Sequence, residues 1–225
     1  MKKNFTFRGL LLTIFALFSL QSYAQDFEGV ITYKITVTGS GVTDDIKAMM
    51  AKSMILTIKG DKSRTEMSMG TGKTVTAGIA DADSKTAVTL MDMMGQKFAI
   101  KMNSEEIIKE MGDTNNISVE TTNETKEILG YTCKKAIITS MDDSTELTAY
   151  FTDELGTRDI NFDNRLFRNI NGVMLEYEIP NKMFTMHFEA VSVEKKNIDE
   201  SEFTIPDGYQ IKTKEEINQL FGDGQ

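Results

Sequence analysis

The sequence predicts a mainly-β or α+β fold built on one large antiparallel sheet, with two or three short helices on one side. Three observations predict it. Apolar and polar residues alternate with period two along about ten separate runs, helical spacing appears in only three places, and 225 residues include just two prolines, Pro180 and Pro206. Alternation puts successive side chains on opposite faces, so a strand with one buried face reads apolar, polar, apolar. Proline removes a ladder hydrogen bond, so its scarcity suits long strands.

The first run is the clearest. Phe27, Ile31, Tyr33, Ile35 and Val37 share one face, while Glu28, Thr32, Lys34, Thr36 and Thr38 take the other, with Val30 the exception. A helix over 43–52 follows, with Thr43 as its N-cap and Ile46, Met49 and Met50 at helical spacing. Strands are expected at 54–59, 64–69, 73–79, 86–91 and 96–102. The second helix, 104–111, opens with Ser104 and places Glu105 and Glu106 where the helix dipole favours acids. Its Ile107, Ile108 and Met111 lie along one stripe. Further strands are expected at 132–139, 146–152, 173–179 and 182–193, with Asp83-Ser84 and Pro180-Asn181 as turn signals. Thr213 and Glu216 form a capping box for a last helix whose apolar stripe is Ile217, Leu220 and Phe221. Gly112 and Gly222 stand where helices stop. A sheet of this size must curl, split or close, and the helices are expected to cover its open side.

Residues 1–24 read as a secretory signal peptide. They run from Lys2 and Lys3 through an apolar stretch, Leu10 to Phe18, to Ser22-Tyr23-Ala24, and the stretch is too short to anchor in a membrane. Cleavage after Ala24 would leave 25–225 as a single domain, exported to the periplasm or medium and soluble. Losing Lys2, Lys3 and Arg8 from 25 basic groups against 34 acidic ones takes the formal charge from −9 to −12. That balance argues against nucleic acid as a partner and against docking on anionic lipid. No later stretch approaches membrane-spanning length.

One cysteine, Cys133, and one histidine, His187, exclude an intramolecular disulfide and a zinc site of several Cys and His. Any Ser-His or Cys-His nucleophile would have to use His187. Alternation puts Cys133 among buried positions and His187 on the polar side of its strand. Acids concentrate at turns, as in Asp81-Ala82-Asp83 and Asp142-Asp143, where hydration gives no raised pKa for acid–base work. Asp81-Ala82-Asp83 lacks the glycine and terminal glutamate of a calcium loop. Gly70-Thr71-Gly72-Lys73 lacks phosphate-loop spacing, and no nucleophile elbow or dinucleotide fingerprint is present. An enzyme is not expected, and no cofactor is implied.

Methionine is the oddity: there are 15, against no tryptophan. Thioether chains are flexible and polarisable, so they suit surfaces that adapt to varied apolar ligands, although they also fill irregular cores. Met67 and Met69 share one strand face, Phe98, Ile100 and Met102 a second, and Phe184, Met186 and Phe188 a third. With Phe151, these are the candidate walls of a hydrophobic groove. Thioethers are also soft copper(I) ligands, but no Met-x-x-Met cluster is reinforced by His or Cys, so no metal site is expected.

The order of elements resembles the bacterial outer-membrane lipoprotein carrier superfamily. The likeness rests on an opening strand, a helix, a strand turning through Gly60-Asp61-Lys62-Ser63-Arg64, and a hairpin from Val75 to Val88 around Asp81-Ala82-Asp83-Ser84. The chain also resembles an uncharacterised family of exported proteins. That likeness rests on Glu127-Ile128-Leu129-Gly130-Tyr131-Thr132-Cys133-Lys134-Lys135 and on the ending Asp199-Glu200-Ser201-Glu202-Phe203-Thr204-Ile205-Pro206-Asp207-Gly208-Tyr209. The first resemblance implies an open half-barrel, a strongly curved sheet whose concave side the helices lid, with acyl chains held between. Gly60-Asp61 stands roughly where the carriers have an Arg-Pro latch, so the latch does not carry over. The implied function is an exported, non-enzymatic monomer binding a hydrophobic small molecule, a lipid or an acylated protein. The alternative is an envelope protein–protein interaction or stress-signalling module on the same scaffold.

Overall fold

Alternation in the sequence becomes strands almost run for run. A computed structural model describes residues 27–70, 74–93, 95–142, 145–156, 158–181 and 183–221. The expected leader and Lys73, Met94, Asp143, Lys182 and Gly222 lie outside them. The elements are β1 (Glu28–Thr38), α1 (Asp44–Met49), β2 (Ser53–Lys59), β3 (Lys62–Met69), β4 (Thr74–Asp81), β5 (Thr86–Met93), β6 (Gln96–Met102), α2 (Ser104–Met111), β7 (Ile117–Ile128), β8 (Tyr131–Ser140), β9 (Thr145–Thr152), β10 (Val173–Pro180), β11 (Thr185–Lys195), β12 (Gln210–Ile211) and α3 (Lys214–Phe221). Single 3-10 turns occur at Arg158–Asn161 and Glu200–Phe203. The fold is mainly β, with three short helices and one open 12-stranded sheet. Among the described residues no helix is long and apolar enough to cross a membrane.

The helix ends follow their caps. Asn103, rather than Ser104, caps α2: its side chain accepts from the backbone amides of Glu105 and Glu106, and Glu106 returns a bond to the Asn103 amide. Thr213 and Glu216 make the expected reciprocal box at α3.

Two meanders meet at β1. The sheet order is β12-β6-β5-β4-β3-β2-β1-β11-β10-β9-β8-β7, antiparallel throughout except that β12 joins β6 in parallel. Ten strand steps therefore separate β6 from β7, which are consecutive in the chain. At about 4.8 Å per step a flat sheet would hold them roughly 48 Å apart. Only 14 residues connect them, eight of them in α2. A helix of that length covers about 12 Å and six extended residues add about 21 Å at most. The chain cannot bridge a flat sheet, so the sheet curls until its edges approach.

The inner face of the curl holds the main core, on the β1 and β8–β11 side. Ile31, Tyr33, Phe151, Leu175, Tyr177 and Phe188 are buried there. Tyr177 stacks on Phe188 with ring centroids 4.7 Å apart, and Tyr33 donates a 2.7 Å hydrogen bond to the Met174 carbonyl. What covers this face corrects the expectation that helices would. The cover is the 153–172 connection between β9 and β10, which buries Leu155, Ile160, Phe167 and Ile170. Asn161 braces it by donating to the carbonyls of Ile170 and Gly172, and Asn164 caps a turn by accepting from Leu166 and Phe167. Gly172 passes so close to the sheet that a Cβ there would sit 2.2 Å from the Thr152 carbonyl oxygen. Of the helices, α1 buries nothing, whereas α2 packs Ile107 and Met111 with Ala87, Met102 and Phe162.

Candidate functional site

Register decides which side chains gather on the inner face of β2–β6. Because antiparallel partners share a face, the ladder can be followed across five strands. One row runs Met54, Met67, Thr76, Met91, Phe98. The next, two residues along each strand, runs Leu56, Thr65, Gly78, Thr89, Ile100. The third runs Ile58, Ser63, Ala80, Ala87, Met102. The third row is largely buried beneath α2 and the 153–172 connection, whereas every member of the middle row is only half-buried. Small residues at the centre of the middle row, Thr65, Gly78 and Thr89, sit beside a wall of thioethers. The result is a trough across four strand steps, about 19 Å long.

Beneath the 153–172 connection the trough deepens into a cavity of about 200 Å³. Its floor is Leu56, Ser63, Thr65, Gly78 and Ala80, its side is Tyr33, Met54, Met174 and Tyr177, and its roof is Ile160, Asn161, Asp163 and Asn164. Gly78 keeps the floor low. A Cβ at that position would meet the Thr65 hydroxyl at 2.9 Å. Asp163 is the one ionisable carboxylate on this lining and is itself solvent-exposed. The protein mass behind it nevertheless desolvates the carboxyl and raises its pKa, against a smaller opposing pull from a backbone hydrogen bond. Burial pushes Tyr177 far above its ordinary phenol value, and its hydroxyl lies 3.9 Å from the Met54 sulfur. A second cavity, about 390 Å³, lies where α2 meets the same connection, bordered by Lys85, Ile108, Phe162 and Arg168 among others. There Lys85 is paired to Asp159 at 2.8 Å.

The nine candidate groove residues divide between the two sheet halves. Met67, Met69, Phe98, Ile100 and Met102 all lie on the inner face of β3 and β6, brought together by the register. Phe151 and Phe188 are buried core, and Phe184 and Met186 pack partly buried against that core. Phe184 precedes β11 rather than belonging to it. None of the nine borders the 200 Å³ cavity. Its floor comes from Leu56 and from serine, threonine, glycine and alanine on or beside strands expected from alternation. Its roof comes from a connection with no periodicity.

Other residues stand as single features. Cys133 is fully buried, and burial raises its thiol to about 11, so it is a packed hydrophobe rather than a nucleophile. His187 faces Glu178, 3.4 Å away, on the outer side of the sheet. Asp81 caps its own turn by accepting from the amides of Asp83 and Ser84. Among the described residues no group of three or more His, Cys, Asp and Glu could hold a metal ion.

The family model described as "Domain of unknown function (DUF4412)" matches residues 27–160. The chain belongs to that family. The match takes in β1 through β9, the whole trough and the Glu127–Lys135 motif, and it ends inside the 153–172 connection, short of the Asp199–Tyr209 ending. No curated protein matches the chain significantly. Among solved structures, PNGF-II in space group P21 is similar with a TM-score of 0.55 at 16% identity, over 86% of this chain and 33% of that one. PNGF-II in space group C2 gives 0.52 at 16% identity, over 85% and 32%. This chain thus spans about a third of the length of PNGF-II, and the likeness is one of fold.

Proposed function

We propose that this DUF4412 protein is an exported, non-enzymatic binding protein that holds a single-chain apolar ligand along the inner trough of β2–β6. The observation that carries the proposal is the graded inner face. A thioether wall, a half-buried floor of small residues and a covered third row form a channel that runs in under the 153–172 connection. Flexible methionines tolerate chains of different shape, and an open trough leaves room for a chain longer than the cavity alone would hold. Burying a chain contributes about 0.8 kcal/mol per methylene, so twelve would offer roughly 10 kcal/mol before ordering costs. The resemblance to lipoprotein carriers supports the same reading, with the 153–172 connection in the place of the lid helices.

The test is native mass spectrometry, with lipid extraction, on mature protein recovered from the envelope of its own host. Near-unit stoichiometry of a co-purified amphiphile is expected, together with its loss in Thr89→Phe, which fills the trough floor, and in Met67→Asp, which places a charge on its wall. A clean apo mass that takes up neither a C10 alcohol, a C10 amine nor a C10 acid would overturn the proposal.

A further inference from the structure

The polar groups of the 200 Å³ cavity are not balanced between donors and acceptors, and the imbalance specifies a ligand. Tyr33, on the lining, already donates its proton to the Met174 carbonyl, so its hydroxyl can only accept. Asn161 has both amide hydrogens engaged, at 3.1 Å to the Ile170 carbonyl and 2.9 Å to the Gly172 carbonyl. Because both partners are carbonyls, the orientation of its amide is fixed, and only its side-chain oxygen remains to offer. Asp163 adds a carboxylate, and the lining includes no lysine or arginine. Tyr177 directs its hydroxyl proton to the Met54 sulfur, 3.9 Å away, so the side-chain donors set against these acceptors are the Ser63 and Thr65 hydroxyls, which can turn either way, and the Asn164 amide group. Its oxygen is already occupied by the amides of Leu166 and Phe167.

Building on the binding reading above, we propose that the cavity selects a ligand whose polar end is a primary ammonium group, and that Asp163 and the Asn161 side-chain oxygen receive it. The alkyl chain then lies along the half-buried middle row toward Ile100, and the ammonium group sits in the cavity under the connection. A carboxylate end would face Asp163 across the cavity with no counter-charge, so a fatty acid is the disfavoured member of an otherwise equal series. Size agrees: a dry cavity of about 150 Å³ accommodates benzene, so about 200 Å³ takes the head and the first few methylenes, and the trough takes the remainder.

The experiment is calorimetric titration of mature protein with decylamine, decanol and decanoate, below their aggregation concentrations and at near-neutral pH. Decylamine should bind about tenfold or more tighter than decanoate. In Asp163→Asn the preference should collapse to about twofold, with decanol unchanged. A tail-less diamine, 1,4-diaminobutane, separates the sources of the ammonium group. Binding more than about tenfold weaker than decylamine supports an aminolipid-type ligand, and equal binding overturns the placement of the chain along the trough. Equal binding of amine and acid, or a preference that survives Asp163→Asn, overturns the head-group assignment while leaving the apolar-ligand reading intact. No binding of any of the three C10 compounds overturns both. Non-specific attraction of cations to an acidic protein is distinguished by the variant, which removes one charge of many and so barely alters the overall field.

Discussion

The two halves of the sheet invert one another. On the β8–β11 side the inner face is filled by Leu155, Phe167 and Ile170, while the outer face is solvated and laced with charge: Lys126 with Glu176, and Lys135 with Glu124, which also accepts from Tyr150. On the β2–β6 side the outer face is the covered one. Ala77, Ile79, Leu90 and Ala99 pack there against Phe203, Ile205 and Tyr209 of the C-terminal segment, and the inner face is left half-open. One sheet is thus stabilised from opposite sides at its two ends. The inner face of β2–β6 is the one whose middle row the fold leaves half-buried. Cavity-forming substitutions should therefore be costly on one side and mild on the other.

The largest expected effect breaks the filled half. Phe167 is fully buried and meets Tyr177 edge-on with ring centroids 5.5 Å apart. Phe167→Ala should cost about 3–5 kcal/mol, read as a drop in the urea midpoint, because the connection cannot collapse into the space. Met67→Ala, on the half-buried wall, should cost about 1 kcal/mol or less in the same measurement. Similar losses at both positions would mean that the two inner faces are equally packed and that the trough is not spare.

How legible this division was depends on periodicity. Strands with one buried face, such as β1 and β6, were readable to within a residue or two. β7 was not. Ile117–Ile128 is an edge strand of threonine and charge with a register shift between Thr121 and Thr125, so little of it alternates. The 153–172 connection was missed for a different reason. Leu155, Ile160, Phe167 and Ile170 bury themselves through turns braced by Asn161 and Asn164, and turns impose no period. The consequence fell on the site. Met67 with Met69, and Phe98 with Ile100, could each be placed on one face of their own strand, but the cavity depends on a roof invisible to pattern and on small residues that look unremarkable until the register aligns Thr65, Gly78 and Thr89. Phe151 and Phe188 carried the same apolar signal as the groove residues, because alternation reports burial and not what does the burying.

A smaller effect sharpens the comparison from within the core of the filled half. Cys133 is buried, with its sulfur 3.6 Å from the Tyr131 carbonyl. Cys133→Ser should destabilise by about 1–3 kcal/mol, since a hydroxyl is harder to desolvate than a thiol. The wild-type thiol, raised to about 11, should react with maleimide at pH 8 only as fast as the protein opens, so labelling should track urea concentration. Rapid labelling of the native protein would show that this end of the core is not closed.

The smallest effects distinguish how each half holds its cover, and they carry opposite signs in pH. The outer cover of β2–β6 is latched by Glu200, whose carboxyl is held below its ordinary range, first by the hydrogen bond from Lys62 and then by that from Lys59. A carboxyl depressed in the folded state binds its proton later than in the unfolded chain. It therefore contributes stability above the ordinary glutamate range and loses it as pH falls through the folded value. Glu200→Gln should be slightly less stable than wild type at pH 7 and indistinguishable from it near pH 3. Asp163, on the inner cover, is raised instead, chiefly by desolvation, so the folded state disfavours its ionised form and stability is lost as pH rises through the folded value. Asp163→Asn should accordingly be slightly more stable than wild type at pH 7, with the gap closing as pH falls. Solvent on its exposed side keeps this gain small. A less stable Asp163→Asn at pH 7 would instead make Asp163 a latch like Glu200.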